Sequence, residues 1–292
     1  MWVLFVVLAT LFWSFANLID KFALSEYIRN PNIPLIFVAV IGIVSSFIIY
    51  ILKGFVALSL FEFGLSILAG ILYVLSLYFY FHALKIEEVS RVIPLFYLSP
   101  IFVLIFAFFL LKESLSIKNY IGIFLLVLGA MFLSFKKHFR IRKAFWLMFL
   151  ADIPMALSSV ISKYLFERID FLTVYSYIRL GVLIAVLPLP FIYYDDFKDF
   201  FKKKIAVGMV SLSETFNILG VIFSTFAIAY GLVSLVSALT SIQPLVVLGL
   251  LLLLSVIDKR FIKEIKEHLK GKNLFIKIIS VILIVVGAAL VV

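Results

Sequence analysis

Three ionisable residues lie inside long apolar runs of this sequence, and they are the first candidates for chemistry. They are Asp152, Arg179 and Glu214. A charged side chain near the middle of a membrane costs about 2.5 to 3.5 kcal/mol on insertion scales, so it is rare without a function or a structural partner. Each of the three therefore indicates either a site on a transport pathway or a buried ion pair.

Glu214 has the most polar surroundings of the three. Helical spacing from it reaches Asn217 and Ser224, and Ser213 and Gly220 lie beside them. Side chains three and four residues apart share one face of a helix, and a polar face is expected to point into a bundle. We interpret Glu214 as a substrate-binding or proton-coupling carboxylate. The alternative is a structural acid held by a salt bridge or a hydrogen bond.

Asp152 and Arg179 each have two interpretations. A small displacement of its helix would make Asp152 an ordinary helix-end acid near Lys143, and we favour this over a functional role. The planar guanidinium of Arg179 suits either a substrate carboxylate or phosphate, or the neutralisation of a buried acid. At 1.5 Å per residue, the depth of Arg179 differs by roughly 8 to 9 Å from that of either carboxylate.

Neutral side chains complete the set of candidate site residues. Asn17, Asn217 and Gln243 can supply hydrogen bonds to a substrate, and Tyr73 belongs to an aromatic face that could line a cavity. Ser237 shares a helix face with neighbouring serines. Small residues at this spacing are more typical of tight helix packing than of a ligand cavity.

Other kinds of site find little support in the sequence. The absence of cysteine excludes thiolate metal sites and cysteine nucleophiles. The three histidines, His82, His138 and His268, are not at metal-ligand spacing, and no P-loop motif is present. No His-Glu-x-x-His or paired-carboxylate motif points to catalysis. We therefore expect no metal, no cofactor, no ATP hydrolysis and no enzyme activity.

The elements that position these residues follow from composition. Of 292 residues, 65% are hydrophobic and 14% are charged, whereas soluble domains have about 45 to 50% apolar residues, so a soluble fold is excluded. Apolar runs of this length must be helices in a membrane, because unpaired backbone amides are too costly there. We predict an all-α integral membrane protein with ten spans: 2–20, 33–52, 63–84, 89–111, 118–136, 144–166, 172–192, 204–230, 233–255 and 274–292.

The sequence also contains an internal repeat. Ala83-Leu84 and Ser99-Pro100 reappear 144 positions later as Ala227-Ile228 and Gln243-Pro244, and Lys163 follows Lys21 by 142 positions. The repeat divides the chain into two five-helix units, 1–136 and 144–292. Because five is odd, the two units must enter the membrane in opposite directions, which is the inverted-repeat plan of secondary transporters.

The first unit resembles a known family. The run from Tyr80 to Phe132 contains His82-Ala83-Leu84, Ser90, Pro94, Ser99-Pro100, Lys112-Glu113-Ser114-Leu115-Ser116, Gly122 and Gly129. This run is similar to the signature of EamA-type transporters in the drug/metabolite transporter superfamily. The resemblance implies ten helices in two inverted repeats, and transport of small metabolites without ATP hydrolysis. Two features depart from the family pattern: Asp258-Lys259-Arg260 with a basic insertion after the ninth span, and no arginine in the second span.

Charge distribution bears on orientation and on partners. Of the 26 Lys and Arg residues, 18 lie in the loops after odd-numbered spans and 5 on the opposite side. The positive-inside rule places the 18 in the cytoplasm and both termini outside, whereas the family resemblance implies both termini inside. The net charge of +10 fits contact with anionic lipid, and we expect no nucleic-acid partner. Lys21 and Lys163 are interpreted as contacting lipid headgroups, with paired gates as the alternative.

These observations favour a multi-pass protein of the cell membrane that acts as a secondary active transporter. Its substrate would be a small polar or amphipathic metabolite, such as an amino acid, moved by alternating access, with protons as a candidate coupling ion. One alternative is an exporter of drugs or lipid-linked substrates. Alternatives from other classes are a membrane-embedded enzyme and a scaffold.

Overall fold

The computed structural model describes residues 1–87, 92–133, 143–257 and 272–292, and within these ranges every regular element is helical. Three of the boundaries between helices have identifiable signals. A capping box of Ser59 and Glu62 begins the third helix, and Asp170 caps the N-terminus of the seventh by accepting a hydrogen bond from the Thr173 backbone N–H at 3.0 Å. The second helix ends at Gly54, whose φ of +83° favours glycine.

The main helical segments are α1 (Trp2–Glu26), α2 (Ile33–Lys53), α3 (Leu60–Ile86), α4, α5 (Ile117–Leu133), α6 (Lys143–Phe166), α7 (Phe171–Val186), α8 (Lys204–Tyr230), α9 and α10 (Lys272–Val291). Segment α4 joins a 3-10 helix (Ile93–Leu98), an α-helix (Ser99–Phe106) and a π-helical turn (Ala107–Leu111). Segment α9 joins an α-helix (Val233–Leu239), a 3-10 turn (Thr240–Ile242) and an α-helix (Gln243–Ile257). Two short helices, Leu189–Ile192 and Tyr194–Phe201, connect α7 to α8.

Six helical segments among the described residues are long and apolar enough to cross a membrane: α1, α2, α3, α6, α8, and α7 together with the short helix that follows it, Phe171–Ile192. Shorter apolar helices lie in α4, α5, α9 and α10. All-helical membrane architecture is thus confirmed, whereas ten spans in two inverted repeats stay a prediction. Several helices exceed their predicted spans, and α1 runs to Glu26 rather than residue 20. Hydropathy detects the apolar part of a helix, but backbone hydrogen bonding continues through its polar end.

The interruptions in α4 and α9 occur at equivalent places. Each follows the 3-10 turn with a new α-helix whose second residue is proline, Pro100 in α4 and Pro244 in α9. Proline has no N–H to continue the ladder and is favoured in the first turn of a helix. Since Pro244 follows Pro100 by 144 positions, the same sequence feature breaks both segments.

Helix packing also relates the two halves of the chain. Segment α1 packs along α8, and α3 packs along α6; α5 pairs with α10, and α2 with α7. The largest apolar cluster includes Leu24, Phe37 and Phe81, where the end of α1, the start of α2 and the second half of α3 meet. If α1 corresponds to α6 and α3 to α8 in the repeat, the contact between α1 and α8 is equivalent to the contact between α6 and α3.

Glycines set the closest of these helix contacts. A Cβ at Gly70 of α3 would lie 2.2 Å from the Ile178 carbonyl oxygen, and a Cβ at Gly181 of α7 would lie 2.4 Å from the Ile67 carbonyl oxygen. Gly122 of α5 meets the Gly287 carbonyl of α10 in the same way, at 3.0 Å. Backbones that approach this closely leave no room for a larger residue, as in small-residue interfaces of membrane helices.

Individual hydrogen bonds repeat at the predicted offsets. Lys21 Nζ of α1 donates to the Leu84 carbonyl oxygen of α3 at 3.2 Å, and Lys163 Nζ of α6 donates to the Ile228 carbonyl oxygen of α8 at 3.1 Å. Each residue of the second pair lies 142 or 144 positions after its counterpart. In both pairs a lysine supplies donors to carbonyls at a helix C-terminus, which favours cations.

A second pair of contacts uses the same places with the side chains exchanged. Ser158 Oγ of α6 donates to the Ala69 carbonyl oxygen of α3 at 2.8 Å. Ser213 Oγ of α8 lies 3.1 Å from the Ala16 carbonyl oxygen of α1. Position 158 follows position 16 by 142, and position 213 follows position 69 by 144. The hydroxyl donor therefore lies on α6 in the contact between α3 and α6, and on α8 in the contact between α1 and α8.

Two further contacts are not repeated in the other half of the chain, as far as the structure describes it. Lys85 Nζ donates to the carbonyl oxygens of Leu24 and Ile28, at 2.8 and 2.6 Å, and thus connects the end of α3 to the end of α1. The position 144 residues later is Ala229. Glu113 accepts hydrogen bonds from the backbone N–H groups of Val233 and Ser234, at 2.9 and 3.3 Å, at the start of α9.

Candidate functional site

A cavity of about 150 Å³ lies in the centre of the bundle between α1, α3, α4, α6, α8 and α9. Six pairs of its lining residues are related by the offsets of 142 or 144 positions: Trp13 and Met155, Asn17 and Ser159, Tyr73 and Asn217, Tyr80 and Ser224, Phe96 and Thr240, and Ser99 and Gln243. Both halves of the chain thus line one cavity with equivalent positions.

The two walls of this cavity differ in chemistry. At three of the paired positions the first half of the chain supplies a ring, Tyr73, Tyr80 and Phe96, where the second half supplies an amide or hydroxyl group, Asn217, Ser224 and Thr240. Trp13 adds a further ring from the first half, and Ser159 a further hydroxyl from the second. We call these the aromatic wall and the amide wall. Contacts within the first half of the chain hold the aromatic wall in place. The Tyr80 hydroxyl donates to Asn17 Oδ1 at 3.0 Å, and the Tyr80 ring packs edge to face against Phe96.

Five of the eight candidate residues predicted from the sequence line the cavity. They are Asn17, Tyr73, Asn217, Ser237 and Gln243. The helical stripe drawn from Glu214 accounts for Asn217, and the broken segment α9 presents Ser237 and Gln243. The other three candidates, Glu214, Arg179 and Asp152, do not line it.

Glu214 lies directly behind the amide wall. Its side chain is 1% exposed, and its Oε2 accepts a long hydrogen bond of 3.4 Å from Asn217 Nδ2. Among the described residues its Oε1 has no hydrogen-bond donor. A buried carboxylate oxygen without a donor is costly, so this atom is a place where a proton or a ligand donor would be bound favourably.

Arg179 is separated from the cavity by two tyrosines. Its guanidinium carbon lies 5.3 Å from the ring centroid of Tyr73 and 4.8 Å from that of Tyr175, which are cation–π distances. Its aliphatic chain packs against Gly42 of α2, where an added Cβ would lie 2.9 Å from Arg179 Cδ. Among the described residues no ion pair within 4 Å joins Arg179 to Glu214, so aromatic rings rather than a carboxylate contact this cation.

Asp152 lies elsewhere in the bundle. It is fully buried in α6, and within the described part of the chain neither of its carboxylate oxygens has a hydrogen-bond partner. Its complete burial does not match the helix-end position that the sequence favoured. Because α6 packs against α3 and α4 here, residues distant in sequence cover what would otherwise be an exposed turn.

Asp20 was not among the predicted site residues, although it lines the cavity. It is 5% exposed, and its Oδ1 lies 2.5 Å from Ser213 Oγ. The signal for it was present in the sequence, since Asn17, Asp20 and Lys21 fall on one face of the first helix. The first helix runs to Glu26, beyond the predicted end of the span at residue 20, so Asp20 lies within the helix.

Asp20 and Glu214 together give the centre of the bundle two carboxyl groups. Ser213, the chain neighbour of Glu214 in α8, is hydrogen-bonded to Asp20 of α1, so the two acidic residues lie on helices that touch at this point. Like charges at short range favour the state in which one of them binds a proton or a cation. Across the described residues no group of three or more His, Asp and Glu side chains is arranged to hold a metal ion.

A second cavity, of about 230 Å³, lies between the end of α2 and the start of α7. Its lining is almost entirely apolar and includes Phe47, Phe55 and Leu180, with Lys53 at the rim. Lys53 forms a salt bridge with Asp170. None of the candidate site residues contributes to this cavity.

Comparisons with known proteins agree with this architecture. Residues 1–135 match the model of the EamA-like transporter family, which confirms the resemblance found in the sequence and is consistent with the drug/metabolite transporter superfamily. A solved crystal structure of a protein is similar in fold, with a TM-score of 0.61, 19% identity, and coverage of 97% of this chain and 97% of that chain. No curated protein matches the chain.

Proposed function

We propose, from the match of residues 1–135 to the EamA-like transporter family, that this membrane protein is a secondary active transporter. It moves a small polar or amphipathic metabolite, such as an amino acid, across the cell membrane by alternating access, with two inverted five-helix repeats, 1–136 and 144–292. The observation that carries the proposal is the central cavity, lined by both halves at equivalent positions. A midplane site between repeats is the arrangement that alternating access requires.

Proton coupling is assigned to the two central carboxyl groups. The Ser213 hydroxyl has a single proton and two acceptors within reach, Asp20 Oδ1 at 2.5 Å and the Ala16 carbonyl oxygen at 3.1 Å. When Asp20 is ionised, the hydroxyl donates to the carboxylate. When Asp20 is protonated, Asp20 donates to Ser213, which can then donate to Ala16. Both states are satisfied, so protonation at this site does not leave a buried polar group without a partner.

The remaining candidates take different roles in this proposal. Asn17, Asn217, Ser237 and Gln243 contact the substrate directly as neutral hydrogen-bonding groups. Arg179 acts indirectly, by holding the Tyr73 ring that lines the cavity. Asp152 has no role at the cavity.

Export of amphipathic drugs is a second candidate function, and the aromatic wall favours it. Trp13, Tyr97 and Phe96 give the cavity a large apolar surface on one side. The two functions share the same site and differ in the direction of transport and in the size of the substrate.

Uptake into proteoliposomes tests the proposal. The full chain is reconstituted and offered amino acids, sugars and aromatic cations, with and without an imposed pH gradient. We expect gradient-driven uptake of at least one class, and its loss in Glu214→Gln. Asp199→Asn is the matched control, because Asp199 is an exposed acid paired only with Lys202 among the described residues. Uptake that is unchanged in Glu214→Gln would contradict coupling through this carboxylate, and the absence of any uptake by folded protein would contradict the transport proposal.

A further inference from the structure

The charge around the central cavity is unbalanced. Its lining contains one acidic residue, Asp20, with Glu214 directly behind it, and among the described residues no Lys, Arg or His lines it. The basic side chains close to the lining have other partners. Lys21, next to Asp20 in α1, donates to the carbonyl oxygens of Leu84 and Glu87, and Lys163 Nζ donates to the Ile228 carbonyl oxygen. Arg179 lies behind the rings of Tyr73 and Tyr175. A negatively charged group in this cavity would therefore be desolvated without a counter-charge.

Oxygen atoms without donors border the same cavity. The Tyr97 hydroxyl is buried in the cavity lining, and within the described residues it has no hydrogen-bond partner. Glu214 Oε1 is likewise buried without a hydrogen-bond partner among the described residues. The structure gives Asp20 one donor, Ser213, at Oδ1. Within the described part of the chain, Tyr97 and Glu214 Oε1 thus have no hydrogen-bond donor and Asp20 has one, whereas an ammonium group carries three.

The aromatic wall adds a further preference for positive charge. Tyr80 is hydrogen-bonded to Asn17, one helical turn before Asp20, and Phe96 packs edge to face on Tyr80, while Trp13 lines the same cavity two turns from Asp20. The faces of such rings attract ammonium groups. The amide wall opposite is neutral, so it can bind hydroxyl, amide or carbonyl substituents but does not select a carboxylate. The two walls thus orient a ligand, with its charged end toward the first half of the chain.

We propose that the central cavity selects an organic monocation, an amine whose ammonium group lies between Asp20 and the aromatic wall while a neutral remainder contacts the amide wall. The inference rests on the proposed transport function for its biological use, but its content is the charge of the ligand. It narrows the substrate from metabolites in general to amines without a free carboxylate. A proton and the amine then compete for Asp20.

The proposal is tested by measuring how tightly the protein binds four compounds that share a phenylethyl group and differ in charge. The full chain in lipid nanodiscs is titrated calorimetrically with 2-phenylethylamine, phenylalanine, 3-phenylpropionate and 2-phenylethanol, which are a cation, a zwitterion, an anion and a neutral compound. We expect the amine to bind at least tenfold more tightly than the other three. Equal or tighter binding of the zwitterion or the anion overturns the proposal, as does undetectable binding of the amine.

Two variants locate the effect. Asp20→Asn should weaken amine binding at least tenfold, whereas the surface control Asp199→Asn should leave it unchanged. Amine affinity that is the same in folded Asp20→Asn overturns the assignment. If Asp20→Asn does not fold, the wild-type protein still decides the question, through displacement of the bound amine by its N-methyl derivative, which keeps the positive charge and two N–H donors. Displacement supports the proposal, and displacement by 2-phenylethanol at the same concentration overturns it.

Transport of the same compounds separates this inference from the proposed function. Amine that binds with the expected preference but is not carried into proteoliposomes leaves the cation site standing and contradicts transport. Uptake of phenylalanine by a protein that does not bind the amine would support the proposed transport function and contradict the cation site.

Discussion

Substitution of Gly70 by alanine tests the closest helix contact near the site. The new Cβ would lie 2.2 Å from the Ile178 carbonyl oxygen, whereas ordinary contact begins near 3.4 Å, so α3 and α7 must separate by about 1.2 Å at this point. Only backbone atoms oppose the new group, and these cannot rotate away as a side chain can. Overpacking of this kind costs about 1 to 3 kcal/mol. The separation also moves Tyr73, one turn from Gly70, away from Arg179.

Gly64 provides the matched control, because it lies in the same helix and no atom lies within 4 Å of its added Cβ. Alanine stabilises a helix by about 1 kcal/mol relative to glycine, and this gain is common to both variants. The difference between Gly70→Ala and Gly64→Ala in unfolding free energy is therefore the overpacking cost itself. Thermal unfolding in one detergent measures it. A Gly70→Ala protein as stable as Gly64→Ala would refute the reasoning.

Three further outcomes are expected. Asp170→Asn should lower the melting temperature slightly at pH 7: burial raises the pKa of Asp170, but hydrogen bonds from Lys53 and Thr173 outweigh it and hold the pKa below its ordinary value of 3.8. The Asp170 carboxylate therefore stabilises the fold above pH 3.8, and this stabilisation is lost as the pH falls through the lowered pKa. A wild-type melting temperature that stays above that of Asp170→Asn at a pH below the lowered pKa would contradict this. Glu113→Ala should cost about 1 kcal/mol, as for other helix caps, and should speed amide exchange at Val233; unchanged exchange would disprove the cap. Gly220→Ala should displace the Trp13 indole, 2.5 Å from the added Cβ, and shift tryptophan fluorescence, whereas an unchanged spectrum would show that the ring has room to spare.

The sequence predicted those features that depend on local pattern. Apolar runs located the helices, and the three-and-four spacing from Glu214 identified Asn217, which lines the cavity. The repeat predicted that Lys21 and Lys163 occupy equivalent places. Their interpretation as lipid contacts did not anticipate that they donate to carbonyls of α3 and α8. Spacing along one helix gives the face of a residue, but not the partner that the face meets.

The parts of the site that the sequence did not predict depend on contacts between helices. Arg179 was a candidate for substrate contact, but Tyr73 of α3 and Tyr175, one turn earlier in α7, cover it. Asp20 was not among the predicted site residues, and its hydroxyl partner Ser213 comes from α8. The contacts of Arg179 with Tyr73 and of Asp20 with Ser213 join different helices, which spacing within one sequence does not predict.

The connection from Lys85 to the end of α1 bears on the resting population of the protein. If the two halves exchanged conformations and were identical, the inward-facing and outward-facing forms would have equal energy and equal occupancy. Lys85 makes two charge-assisted hydrogen bonds at one end of the bundle, and Ala229 supplies none at the other. One such bond contributes about 1.5 kcal/mol or more, which corresponds to roughly a tenfold preference. If the protein works by the proposed alternating access, its unliganded form would therefore favour the conformation in which the Lys85 end is closed and the opposite end is open to ligand.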